Sequence, residues 1–398
     1  MPANRVGPPV RGKDFYGREP LIELMWETLR GQSILLVAPR RFGKTSVMYR
    51  LIDDPKNGFV SIHADLEPFT EAAELITQLA VQLAQQNESI ATSLRYFPKE
   101  LWDGFKKTFA EIDLHYVKLK LREHIRGSWQ DSGEELFKQT AALGKPVLFV
   151  LDELPMMLDR MARIPERRPE AVTLLRWLRA QRMSPALRDI RFLVAGSIGI
   201  DRVLADLGES SAINDFEQVR LRPFAHRVAN EFLVELAKNT KFALDESSIA
   251  AILEVIGTPV PYFLQIMVSE LSKAHLLEDV AINPDNVRRL YRERVLGVDC
   301  KTYFDHYYGR LRQYYEADVE RSAKRLLREL AAAETLPRDA CFRICTTDGR
   351  INEDAFNQLL TDLENEFYVV FDSEIDQFRF ASKVLRDWWL RHYGLATD

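Results

Sequence analysis

Residues 36–46 read LVAPRRFGKTS: an apolar run breaks at Ala38-Pro39, crosses two arginines and an aromatic, and closes on Gly43-Lys44-Thr45-Ser46. A phosphate-binding loop has the pattern G-x-x-x-x-G-K-[ST] between a strand and a helix, because the free N–H groups at a helix N-terminus hold the phosphate charge. Both flanks are present. SILLV at 33–37 is a β-type run, and TSVMYRLID from Thr45 onward carries apolar residues at helical spacing. In such a loop Lys44 reaches the β- and γ-phosphates, Thr45 places its hydroxyl on Mg²⁺, and Gly43 lets the backbone approach without a side chain in the way. Ala38 stands where the pattern has its first glycine; it is small enough to begin the loop but limits positive φ there. Pro39 removes one donor and stiffens the entry.

If the loop is real, acids should follow at a strand end. KPVLFVLDEL at 145–154 is a buried-type strand closing on Asp152-Glu153. Asp152 is expected in the Mg²⁺ shell, and Glu153 is expected to orient or deprotonate the attacking water. Alone, an apolar run before two acids is a common strand end; behind a phosphate loop it carries more. IRFLVAG at 190–196 runs into Ser197, which either feels the γ-phosphate or caps the next turn. FVSIH at 59–63, leading to Asp65, and EQVRL at 217–221 complete five strands. With helical crossovers these predict an α/β fold, a parallel sheet covered on both faces with its ligand at the C-terminal strand ends. His63 has no cysteine or second histidine near it in sequence and reads as structural.

A chain of 398 residues exceeds one ordinary core, so two or three domains are expected. The net charge of −5 lacks the Lys/Arg excess of a nucleic-acid binder, so any DNA contact must come from a local patch. Cys300, Cys341 and Cys345 are an odd set with no histidine cluster to complete a metal site, which implies structural thiols in a reducing compartment. The start, MPANRVGPPVRGKDF, has no apolar signal core, and no run reaches the ~18 apolar residues of a membrane span. No membrane association and a cytoplasmic location are the expectation.

Taken together these elements resemble the AAA+ P-loop NTPases, and among them the archaeal-type and STAND signalling ATPases. DFYGRE at 14–19 is similar to the F-x-G-R-E box that precedes the loop and packs near the nucleotide base, which implies a base-side role for Arg18. PRRFGKTS is close to the PRR-x-GKTS form of the archaeal-type members, implying that Pro39, Arg40, Arg41, Phe42, Gly43, Lys44, Thr45 and Ser46 line the phosphates. LDEL resembles their Walker B strand and AGS their first sensor, Ser197. LRPFAHRVANEF at 221–232 resembles the junction to a helical lid, and Gly257-Thr258-Pro259 before VPYFLQIM resembles the lid element whose proline, here Pro259, lies near bound ADP. Gly-Thr-Pro is equally a helix stop. Rings of this superfamily use an arginine from a neighbouring subunit, and Arg202 in GIDRVLADL is the candidate. The basic run 160–168, RMARIPERR, is a second source, although such runs are usually solvated loop.

The resemblance implies an N-terminal segment at 1–30, a P-loop core at 31–221, a helical lid at 222–297 and a C-terminal winged-helix domain at 298–398. In that last part helices are expected near 338–345 and 352–364, then β-type runs at 368–371 and 377–380 and a final helix. The helix that would enter a DNA groove, NEDAFNQLLTDLENEF, contains five acids and no Lys or Arg, and the hairpin tip FDSEIDQ is acidic. Like-charge repulsion from phosphates disfavours DNA and favours a protein partner or self-assembly. Were DNA the partner, RRLYRERV at 288–295 and RSAKRLLRE at 321–329 would have to carry the contacts. Trp388-Trp389 is either a partner anchor or the seal of a terminal helix. The function implied is a nucleotide-driven switch that uses ATP, ADP and Mg²⁺.

Overall fold

The computed structural model describes residues 2–86, 114–196 and 199–394. The chain forms two compact units. One comprises Arg18–Ala38 and Lys44–Leu221; the other takes the segment before Arg18, the five residues Pro39–Gly43, and the chain from Arg222 onward.

In the first unit five parallel strands, β1 (Ile34–Val37), β2 (Val60–Asp65), β3 (Val147–Asp152), β4 (Ile190–Ala195) and β5 (Glu217–Arg220), lie in the order β2-β3-β4-β1-β5. All six residues of β3 are buried, the pattern of a central parallel strand covered on both faces. Register places Asp65 beside Asp152 and Asp152 beside Ala195, so the acidic strand ends are neighbours. The sheet is flanked by α1 (Glu19–Leu29), α2 (Lys44–Asp53), α3 (Ala72–Gln86), α4 (Leu114–Ile125), α5 (Trp129–Ala141), α6 (Leu154–Arg163), α7 (Arg168–Arg182) and α8 (Ile200–Leu207). Phe137 on α5 packs on Phe149 of β3 and Phe192 of β4, with ring centroids 5.3 and 5.7 Å apart, and stacks on Trp177 of α7 at 5.4 Å. These rings exclude water from one face of the sheet and fix the level of the strand ends.

Three arginines of the basic run at 160–168 are paired within the unit, with Arg163 and Arg168 still exposed to solvent. Arg163 pairs with Asp159, Arg167 with the buried Glu71 and with Glu170, and Arg168 with Asp206. Arg167 and Arg168 thereby tie the start of α7 to the start of α3 and to α8.

The second unit begins with α9 (His226–Ala237), α10 (Glu246–Ile256), α11 (Pro261–Glu278) and α12 (Pro284–Leu290), the last continuing into a π turn at Tyr291–Val295. Then come α13 (Lys301–Tyr314), α14 (Ala317–Ala333), α15 (Arg338–Thr346) and α16 (Glu353–Asn365). A hairpin of β7 (Val369–Asp372) and β8 (Gln377–Phe380) and a final α17 (Lys383–Tyr393) end it. A two-residue strand, β6 (Thr335–Leu336), pairs with β8 and had no sequence signal. Side-chain caps start four of these helices: Asp245 accepts from Ser248 N–H at 2.7 Å, Asn283 from Asn286 N–H at 2.9 Å, Asn352 from Ala355 N–H at 2.9 Å, and Ser382 from Leu385 N–H at 3.3 Å.

Trp388 and Trp389 are fully buried, with Trp388 stacked on Phe304 at 5.7 Å, so the pair seals α17 to the core. The three cysteines are free and buried, and burial raises all three thiols, that of Cys341 to about 11. Gly257 ends α10 at φ 70°, and a Cβ there would lie 2.8 Å from the Lys383 Cβ. Next to it the Thr258 hydroxyl donates to the Ala381 carbonyl at 2.9 Å. The Gly-Thr-Pro turn is thus pinned to the β8–α17 junction.

Candidate nucleotide-binding site

The backbone of the loop defines what it holds. Arg41 has φ 69° and Gly43 φ 86°, while Phe42 and Lys44 lie at negative φ. Alternating left- and right-handed residues in a stretch that runs into α2 are the backbone pattern of an anion nest, in which successive N–H groups converge. Gly43 adopts the left-handed conformation freely. Arg41 carries a Cβ and does so at a cost of about 1 kcal/mol or more. Its side chain is held in compensation: Nη1 donates to the Gly7 carbonyl at 3.2 Å, and the guanidinium lies 4.9 Å from the centre of the Tyr262 ring. Arg40 is exposed, Pro39 half-buried, and Phe42 is 1% exposed, its ring edge-on to Phe367 at 4.7 Å. His306 on α13 stays neutral, lowered to about 3 by burial and then by the cations Arg41 and Arg40.

In the first unit α2 opens with Lys44, the half-buried Thr45 and the buried Ser46. Lys44 Nζ donates to Glu153 Oε1 at 3.3 Å, with both side chains at least 86% buried. Glu153 is the N-cap of α6 and sits in the left-handed region at φ 58°, a sharp strand-to-helix turn that Leu154-Pro155 then fixes. Asp152 ends β3 at 7% exposure, and its Oδ1 has no hydrogen-bond partner. Burial pushes its carboxyl up to about 7; Lys44 pulls it down, and Glu153 and Asp65 push it up. An orphaned, buried carboxylate oxygen at a strand end suits a hard cation. Among the described residues no group of three or more His, Cys, Asp or Glu forms a metal cage.

The remaining residues singled out in the sequence fall elsewhere. Ser197 lies outside the described residues. Arg202 on α8 is partly buried, with Nη2 4.0 Å from Asp159 Oδ1, an intrachain partner. Arg18 caps α1, and burial lowers its guanidinium to about 10. Pro259 is buried, and its carbonyl accepts from Phe224 N–H at 3.0 Å. The geometry thus brings Lys44, Asp152 and Glu153 together in one unit and sets Arg41 and Phe42 in the other. Tyr262, Phe367 and His306 were not foreseen. Tyr262 had a faint signal, three residues after Pro259; Phe367 had none.

Comparison with known proteins defines the fold. No family profile matches the sequence, and no curated protein matches it. Solved structures do match. The Walker-type ATPase PABY2304 of Pyrococcus abyssi superimposes with a TM-score of 0.66 at 18% identity, covering 97% of this chain and 99% of that one. The ORC2 protein of Aeropyrum pernix, solved as ADPNP–ADP complexes, superimposes with a TM-score of 0.53 at 13% identity, covering 97% and 95%. The chain has the α/β fold of the AAA+ P-loop ATPases over nearly its whole length.

Proposed function

We propose that the protein is an ATP-binding and ATP-hydrolysing AAA+ switch of the archaeal-type or STAND kind, whose nucleotide state is read out through the C-terminal helices and hairpin acting as a winged helix. The observations that carry this reading are the left-handed turns at Arg41 and Gly43 ahead of Lys44, the Lys44–Glu153 pair and the unpartnered Asp152 oxygen. Lys44 binds the β- and γ-phosphates and in doing so leaves Glu153. Glu153, released, orients a water for attack on the γ-phosphorus and accepts its proton, while the bond to the β–γ bridging oxygen breaks and ADP and phosphate form. Thr45 and Asp152 would hold Mg²⁺, which neutralises phosphate charge when bound.

The test separates binding from turnover. Lys44→Ala should lose nucleotide binding, and Glu153→Gln should bind ATP while hydrolysis falls on the order of 100-fold or more. Wild-type hydrolysis in Lys44→Ala would overturn the site. Light scattering of Glu153→Gln with Mg-ATP then reads self-assembly; a defined oligomer would make Arg202 the residue to test for action in trans.

A protein partner is favoured over DNA because most cations of the two basic segments are already engaged. Arg288 pairs with Glu254, Arg289 with Glu293, Arg294 with Glu278, Lys324 with Glu320 and Arg325 with Asp348. Phosphate contact would have to break these pairs, and α16 adds acids. Salt-sensitive duplex binding would reverse this preference.

A further inference from the structure

The loop tip is built into a unit that contains neither Lys44 nor the strand acids, and it is held there by three contacts. Phe42 lies against Phe367, and Arg41 reaches Tyr262 and Gly7. Phe367 stands on a rigid base. Its neighbour Glu366 pairs with the 4%-exposed Arg310 at 2.9 Å, and its other neighbour, Tyr368, donates its hydroxyl to the Tyr307 carbonyl at 2.7 Å. Between these two anchors Phe367 has φ 64°, a conformation a bulky residue adopts only when its surroundings impose it. The ring facing Phe42 is therefore presented by the fold rather than free to settle.

We infer that Phe367 and Tyr262 are positioning residues for the loop tip: by holding Phe42 and Arg41 respectively they keep its left-handed turn preformed, and nucleotide binding draws on that preformed turn. This deepens the proposed function and rests on it. Arg41 is the reason the grip is needed. A left-handed arginine relaxes once its partners go, the N–H groups then diverge, and each binding event has to re-form the nest.

The experiment measures Kd for ADP and for Mg-ATP by calorimetry on the full chain, with the thermal midpoint of each variant recorded in parallel. Phe367→Ala should weaken both nucleotides by about tenfold, as expected when a preformed binding conformation is lost, with the protein still folded. Phe367→Tyr, which keeps the ring, should restore affinity to near wild type, which a general loss of stability would not explain. Tyr262→Ala gives the same readout from the Arg41 side should Phe367→Ala unfold. Folded Phe367→Ala and Tyr262→Ala proteins with wild-type Kd would overturn the positioning role and leave the nucleotide site standing. A wild-type protein that binds neither nucleotide would overturn the site, and the positioning role with it.

Discussion

The end of β3 and the flank of α14 are both dense in charge, and they treat it oppositely. Along α14, Arg321 pairs with Asp318, Lys324 with Glu320, Arg325 with Asp348 and Arg328 with Glu329. At β3, Asp152 is buried beside Asp65 and Glu153, and one of its oxygens has no partner. Charge settled locally is scaffold. Charge buried without settlement costs stability and persists where a ligand will supply the missing partner. The same contrast separates the aromatic groups: the rings around Trp388 fill a core, whereas Phe42 and Phe367 restrain a loop.

The largest stability effect belongs to the scaffold: Trp388→Ala should cost about 3–5 kcal/mol by opening a cavity beside Phe304, read as a lower urea midpoint. A loss under about 1 kcal/mol would mean the pair is not core after all. The site should respond with the opposite sign. Asp152→Asn removes an unsettled carboxylate and should stabilise the ligand-free protein by about 1–2 kcal/mol while abolishing any Mg²⁺-dependent gain in midpoint. Destabilisation there would show that Asp152 is satisfied by the protein alone.

A smaller effect falls on Asp215, which accepts two hydrogen bonds from Arg182 at 2.8 and 3.0 Å. Burial pushes its carboxyl up, but the Arg182 bonds outweigh burial and hold it below the ordinary range. A depressed carboxyl contributes stability above its unfolded value near ~4 and loses it as pH falls through the lower folded value. Asp215→Asn should therefore cost about 1 kcal/mol at pH 7, discounted for partial exposure, and the gap to wild type should close under acid. A gap that widened under acid would reverse the sign of the argument. The smallest effect is Arg321→Ala, whose exposed pair should leave the thermal midpoint unchanged. A measurable drop would mean that α14 relies on its surface charges.

The fold was legible because its signals are local. GKTS after a β-type run marks the loop, LDE after an apolar strand marks the acids, and 3.6- and 2-residue periodicities mark helices and strands. The strand at 377–380 was readable for the same reason. β6 was not, because two residues show no period.

The sequence by itself determined that Lys44 and Thr45 open the helix that follows the first strand and that Asp152 and Glu153 stand at the end of a buried strand, since hydrophobic pattern places them there whatever surrounds them. Only the tertiary structure decided that Lys44 rests on Glu153, that Asp152 keeps an oxygen unmet, and that the loop tip belongs with Tyr262 and Phe367. Those facts depend on contacts between residues as far apart as Phe42 and Phe367, and such contacts leave no periodicity in one chain to read.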